Sequence, residues 1–166
     1  MEAALRTAYF VLTGKEYGKI DFHEVRGLQA VKEADIDIGG TIVKVAVASG
    51  MKEASKLVQQ VKEGKSPYAF IEIMGCPGGC INGGGQPYVL PSLLPNEDDD
   101  ILDTYRQKRA AVLYSEDERQ VIRQSHNNKD IQKLYKDFLG EPLSELSEEL
   151  LHTHYNAHRE KYPEGK

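Results

Sequence analysis

No run of apolar residues in this chain approaches the ~20 that a membrane-spanning helix requires, so its hydropathy gives no reason to place it in a bilayer. A surplus of basic charge is also missing. The chain has 21 lysines and arginines against 26 acidic residues, a formal charge of −5, and a surface of that sign gains nothing from phosphate backbones. Nucleic acid is therefore not an expected partner. There are no internal repeats and no low-complexity tract. The opening MEAALRTAYF has an acid at position 2 and no small-residue cleavage site, so it does not read as a signal peptide. These absences point to the cytoplasm, where thiols stay reduced. Thiols are scarce as well: 166 residues contain two, Cys76 and Cys80, four positions apart. In a reducing compartment such a pair is expected to bind a metal or react rather than form a structural bridge.

What is present describes a folded α/β chain. Hydrophobic residues make up 40%, charged residues 28%, and the mean hydropathy is −0.52, values of an ordinary globular protein. The length suits one domain or a little more. Ala3, Ala4, Leu5, Ala8, Val11 and Leu12 recur at helical spacing over 1–13, and Gly14 ends the pattern. This helix has no lead-in, so it reads as part of a larger body. Residues 20–28, IDFHEVRGL, alternate in polarity and predict a strand. Residues 34–38 and 41–48 around Gly39-Gly40 predict a hairpin with a tight glycine turn. An amphipathic helix over about 51–63 and an apolar run at 68–74 follow. Strand, helix and strand make a βαβ unit, so the strands at 42–48 and 68–74 are expected to be parallel. Beyond a linker at 91–100 the chain turns helical and charged. Helices are expected over about 100–115, from a new start at Ser115 through Val121 and Ile122, over Ile131–Leu139 up to Gly140, and from Pro142 toward Tyr155. The acidic run at 97–100 suits a helix N-terminus. A polar, frayed tail over 156–166 is expected. The thin apolar stripes of 96–166 predict an arm that wraps a larger neighbour. The expected division is 1–95 for the sheet-bearing lobe and 96–166 for the arm.

The two cysteines lie in IEIMGCPGGCINGGGQP, just past the carboxyl end of a predicted parallel strand, where open α/β sheets place their sites. Thiolates are soft donors that select zinc, copper(I) or iron–sulfur. A zinc site would need two further donors from His23, His126, His152, His154 or His158; of these, His154 and His158 stand at i, i+4. Gly78, Gly79, Gly83, Gly84 and Gly85 are more glycine than a turn requires, and each costs roughly 0.5–1 kcal/mol of order against alanine. A backbone that free can approach a bulky object and aim N–H groups at it, as inorganic sulfide requires. A phosphate would fit too, but no P-loop lysine follows. A thioredoxin-type dithiol uses two intervening residues, and here there are three. Iron–sulfur ligation suits the residues best, a redox dithiol next, and a purely structural glycine turn last.

Residues 72–87, EIMGCPGGCINGGGQP, closely resemble the third cluster-binding signature of the iron-only (di-iron) hydrogenases. The opening MEAALRT and Glu24-Val25-Arg26-Gly27 resemble the stretch upstream of that signature. Ser125-His126, Tyr135, residues 138–143 (FLGEPL) and 151–155 (LHTHY) resemble the family's small-subunit segment. The resemblance implies that residues 1–95 are the C-terminal lobe of the large-subunit domain and 96–166 the small-subunit wrapping segment. It implies a 4Fe–4S cube joined through one cysteine sulfur to a di-iron subcluster, together the H-cluster, which interconverts protons and dihydrogen. By the same resemblance Cys76 ligates the cube, and Cys80 ligates the cube and bridges to the di-iron unit. Met74 packs beside that unit, and Gly78, Gly79 and Gly83 to Gly85 let the loop close over it. The chain departs from the family in carrying one of the three signatures and neither a third thiol nor the accessory cysteine runs. The expectation is a fragment that completes its cluster only with the N-terminal part of the catalytic domain as a separate chain, or with another copy. A ferredoxin or similar carrier would deliver electrons. The alternative expectation is a non-catalytic iron–sulfur-binding or interaction protein derived from the same fold.

Overall fold

The computed structural model describes residues 1–18, 21–76, 78–90 and 99–153, with the backbone alone at 99 and 100. The acidic run up to position 98, the pair His154 and His158, and the tail over 156–166 lie outside the described residues. The chain divides into two compact units, Met1–Gln124 and Ser125–Lys166.

The first unit opens with α1, Glu2–Thr13, whose last turn is closed by Gly14 in the left-handed region at φ 67°. Strands β1, Val31–Ile38, and β2, Thr41–Ser49, pair antiparallel from Val31 opposite Ala48 to Ile38 opposite Thr41. The two-residue turn between them has positive φ at both Gly39 (62°) and Gly40 (93°), the geometry whose twist matches a hairpin. Asp37 secures it, accepting from the Gly40 N–H at 2.7 Å. Helix α2, Met51–Lys62, then carries the chain across to β3, Phe70–Met74, which pairs parallel to β2 from Val45 opposite Phe70 to Ser49 opposite Met74. The sheet order is β1-β2-β3, a mixed sheet containing the expected βαβ unit.

Alternation along β2 builds two cores. Val45 and Val47 point to one face, where they meet Ala34, Ile36, Leu5 of α1, Phe22 and Val25. Ala46 and Ala48 point to the other, where their small size lets Ala54 and Leu57 of α2 approach. Burying a side chain such as Phe22, 1% exposed, stabilises the fold by about 2–3 kcal/mol.

Two expectations are corrected. The strand predicted over 20–28 is not formed within the described residues. His23–Val25 is a 3₁₀ turn, because Phe22 and Val25, three positions apart, both face the core, and a strand would send them to opposite faces. Nor does Ser115 start a new helix. Helix α3, Asp99–Arg119, runs straight through it, and Arg119 hydrogen-bonds the Ser115 carbonyl and pairs with Glu116. No breaker interrupts residues 99–119, and Val121 and Ile122 fall outside the helix, exposed.

An ionic network joins α1, the turn at Phe22 and the end of α3. Arg26 Nη2 lies 3.0 Å from Glu2, 2.9 Å from Asp21 and 3.2 Å from Asp117, with its guanidinium 4.6 Å over the Tyr114 ring. Arg123 pairs with both Asp21 and Asp117, and Arg6 donates to the Arg123 carbonyl at 2.9 Å. Hydrogen bonding from Arg123, together with the charges of Arg123 and Arg26, holds the Asp21 carboxyl below its usual range. Burial pushes Asp117 up, but Arg123, Arg6 and Arg26 outweigh it and the net shift is downward.

In the second unit α4, Lys129–Leu134, is capped by the Asn128 side chain, which accepts from the Asp130 N–H at 2.9 Å. It widens into a π turn, Tyr135–Leu139, ended by Gly140 at φ 84°. Helix α5, Glu145–Leu151, is capped by Ser144, which accepts from the Ser147 N–H at 3.2 Å. Phe138, Leu143, Leu150 and Leu151 remain exposed. Among the described residues no helix is long and apolar enough to cross a membrane.

Candidate functional site: the thiol loop beyond strand β3

β3 ends at Met74, and its carbonyl accepts from Gly50 N–H at 2.8 Å, which ties the carboxyl ends of β2 and β3 together. The chain then leaves the sheet into the thiol loop. Cys76 and Cys80 are both free and exposed. Between them the backbone turns tightly: the Gly79 N–H donates to the Cys76 carbonyl at 2.9 Å, with Gly78 at φ 79° and Gly79 at φ 71°. These two positions require glycine, because side chains rarely adopt that conformation. Gly79 has a second reason. A Cβ there would lie 2.6 Å from the Met74 sulfur and 2.9 Å from its terminal carbon. Gly83, Gly84 and Gly85 have no positive φ; a Cβ at Gly83 would make only ordinary contact with the Cys80 carbonyl oxygen at 3.7 Å, and at Gly84 and Gly85 it would meet nothing within 4 Å.

After the 3₁₀ turn Gly79–Asn82 the loop is held by its own backbone and by α3. The Gln86 side chain donates to the Cys80 carbonyl at 3.3 Å. Arg109 of α3 donates to the Ile81 carbonyl at 3.3 Å and also to the Pro87 carbonyl. A cavity of about 350 Å³ lies between this stretch and α3, lined by Asn82, Gly83, Gly84, Tyr105 and Arg109 among others.

A second cavity, of about 310 Å³, opens onto Cys80 and Met74, with Gly78, Lys32 and Glu72 in its wall. Met74 is half-buried against the core of the sheet. Lys32 is buried, 4% exposed, and donates to the Gly27 carbonyl at 3.2 Å. Burial pushes its ammonium below the usual lysine range, opposed by the negative charge of Glu72. Glu72 accepts from the Met1 nitrogen at 3.0 Å. Ser49, opposite Met74 in the strand register, has a buried hydroxyl with no hydrogen-bond partner among the described residues.

The structure therefore brings Met74, Gly78 and Cys80 to one cavity, and Gly83 and Gly84 to the other. Among the described residues no three histidine, cysteine or acidic side chains come together to hold a metal. Sequence reading missed Lys32 and Arg109. Lys32 was detectable: it shares the inward parity of Ala34 and Ile36 on an alternating strand, an anomalous place for a lysine. Arg109 left no local signal, since its partners are 28 and 22 residues away.

Comparison with known proteins covers the same ground. Residues 1–84 match the family described as Iron only hydrogenase large subunit, C-terminal domain, and residues 103–158 match Iron hydrogenase small subunit. The chain is 46% identical over 155 residues to the NADP-reducing hydrogenase subunit HndD of Solidesulfovibrio fructosivorans, covering 93% of this chain and 25% of that one. It is 38% identical over 120 residues to a probable cytosolic Fe-S cluster assembly factor of Drosophila virilis, covering 72% of this chain and 23% of the relative. A variant of the FeFe-hydrogenase HydA1 of Chlamydomonas reinhardtii superposes with a TM-score of 0.66 at 37% identity, over 92% of this chain and 43% of the other. The chain thus spans about a quarter of the length of these curated relatives.

Proposed function

The chain belongs to the iron-only hydrogenase family, and we propose that it contributes Cys76 and Cys80 to an iron–sulfur centre completed by another polypeptide. The observation that carries this reading is the pair of free, exposed thiols on a glycine-required turn, with Cys80 in the wall of a cavity. The residues fit part of such a centre. Two soft donors stand ready, Ser49 offers an unpartnered hydroxyl in the same register row as Met74, and Gly79 is kept free of a side chain against the Met74 sulfur. They do not make a closed four-ligand site, so two corners of a 4Fe–4S cube would fall to other chain.

In this reading Cys76 would hold the 4Fe–4S cube, and Cys80 would hold both the cube and the di-iron subcluster. Met74 would stand beside that subcluster, and Gly78, Gly79 and Gly83 to Gly85 would allow the loop backbone close approach. The bound H-cluster supplies the redox chemistry that joins two protons and two electrons into dihydrogen. The partner is the N-terminal part of a hydrogenase catalytic domain or a second copy, with a ferredoxin or similar carrier serving the assembly. The setting is the cytoplasm, where unpaired thiols stay reduced. Residues 1–95 act as the large-subunit lobe and 96–166 as the wrapping segment.

The test is complementation. The relative from S. fructosivorans, with its matched segment removed, is co-produced anaerobically with this chain. Evolution of dihydrogen that disappears in Cys80→Ala supports catalysis; a folded, iron-loaded complex without turnover rejects it. One observation favours the second reading, a non-catalytic iron–sulfur protein: the similarity to the cytosolic assembly factor extends over 72% of the chain. Iron retained without turnover is the outcome that reading expects.

A further inference from the structure

A lysine with 4% exposure is rare, because taking an ammonium out of water is costly unless an opposite charge meets it. Lys32 has three N–H donors and, among the described residues, one hydrogen bond, to a neutral carbonyl, Gly27 O at 3.2 Å. Glu72 acts on it through space rather than as a contact pair, and the nearer commitment of that carboxylate is to the Met1 nitrogen at 3.0 Å. Of the other cations in this wall, Arg26 is already taken up by Glu2, Asp21 and Asp117, and the Met1 ammonium by Glu72. Lys32 is thus positive charge left in reserve, in the wall of the cavity onto which Cys80 and Met74 open. Its place on the inward face of β1, a strand anchored over eight pairs to β2, fixes that charge rather than letting it swing to solvent.

We propose that Lys32 is a positioning residue for the cluster: it supplies the buried positive charge that offsets the anionic, thiolate-ligated body held at Cys80, strengthening its retention and raising its reduction potential. This rests on the cluster-binding reading above. Glu72 acts in the opposite sense, as the carboxylate that tempers Lys32. Positive charge near a redox centre favours the form carrying the extra electron, and the effect is largest where water is excluded.

The experiment uses the anaerobic assembly of this chain with the shortened S. fructosivorans relative, loaded with iron and sulfide. Midpoint potential is read by redox titration followed by electron paramagnetic resonance, and iron release by a chelator is timed. In Lys32→Met the potential is expected to move negative and release to quicken by about tenfold, the order expected for removing one charge at Coulomb range from a partly buried site. Lys32→Arg should restore both values toward the parent. Glu72→Gln should move the potential the other way, to more positive values, and it decides the matter if Lys32→Met does not fold. Unchanged potential and release in Lys32→Met, or no shift in Glu72→Gln where that variant must decide, overturns the proposal. A parent assembly that retains no iron overturns the cluster-binding reading itself, and the two failures are thereby distinguishable.

Discussion

Replacing Gly79 with alanine tests the construction of the thiol loop at its tightest point. Two costs add. The residue sits at φ 71°, where a Cβ costs roughly 1–2 kcal/mol. That Cβ would also lie 2.6 Å from the Met74 sulfur, so Met74 has to move while packed against the core containing Leu5, Val45 and Val47. Overpacking of this kind costs about 1–3 kcal/mol. Alanine also restricts the unfolded chain, which returns about 0.4–1 kcal/mol. The expected net loss is about 2–4 kcal/mol, a large share of the 5–15 kcal/mol typical of a folded domain. Gly84→Ala is the control. It meets nothing within 4 Å and has no positive φ, so it should stay within about 0.5 kcal/mol of the parent. Urea unfolding followed by circular dichroism measures both. The double variant Gly79→Ala with Met74→Ala should recover the steric part alone, a coupling of about 1–3 kcal/mol. Equal stability of Gly79→Ala and Gly84→Ala, or a coupling near zero, would refute this account of the loop.

Other outcomes follow from the same structure. Arg26→Ala leaves Glu2, Asp21 and Asp117 with less compensation and should cost about 3 kcal/mol by urea unfolding, with loss of the α1–α3 connection seen as faster amide exchange in both helices. The Asp21 and Asp117 carboxyls are held below their ordinary value of 3.8. Their contribution is therefore present above that pH and lost as pH falls through the lower folded values; the acid limb of stability should start below about pH 4, and Asp21→Asn should shallow it. Arg109→Ala removes two hydrogen bonds from α3 to the loop and should speed exchange at the Gly83 and Gln86 amides by roughly tenfold, about 1.4 kcal/mol, read by hydrogen–deuterium exchange.

The elements that could be read from sequence are those whose signals are local. Gly39-Gly40 between alternating runs fixed the hairpin, and Gly14 and Gly140 marked where helical turns end, each at positive φ. The parallel pairing of β2 and β3 followed from the helix between them, and it places the thiol loop past a strand end. What could not be read depends on partners distant in sequence. Alternation over 20–28 suggested a strand, but Phe22 and Val25 are recruited to one core and Arg26 is drawn to Asp117, 91 residues away. The continuity of α3 through Ser115 was hidden because Ser-Glu-Asp-Glu suits a helix start as well as a helix middle. The bonds from Tyr114, Asp117 and Arg123 back to Gly27, Arg26 and Asp21 are equally long in range, and no local pattern announces them. Of the loop's glycines, only Gly78 and Gly79 sit at positive φ, and no local pattern distinguishes them from Gly75 and Gly83 to Gly85.

The most direct test of the central claim is the iron and acid-labile sulfide content of the anaerobic complex between this chain and a polypeptide carrying the other two hydrogenase signatures. The account predicts iron and sulfide in the complex above the sum of the two chains alone, and loss of that excess in both Cys76→Ser and Cys80→Ser. An equal metal content in the complex and in both cysteine variants would contradict it.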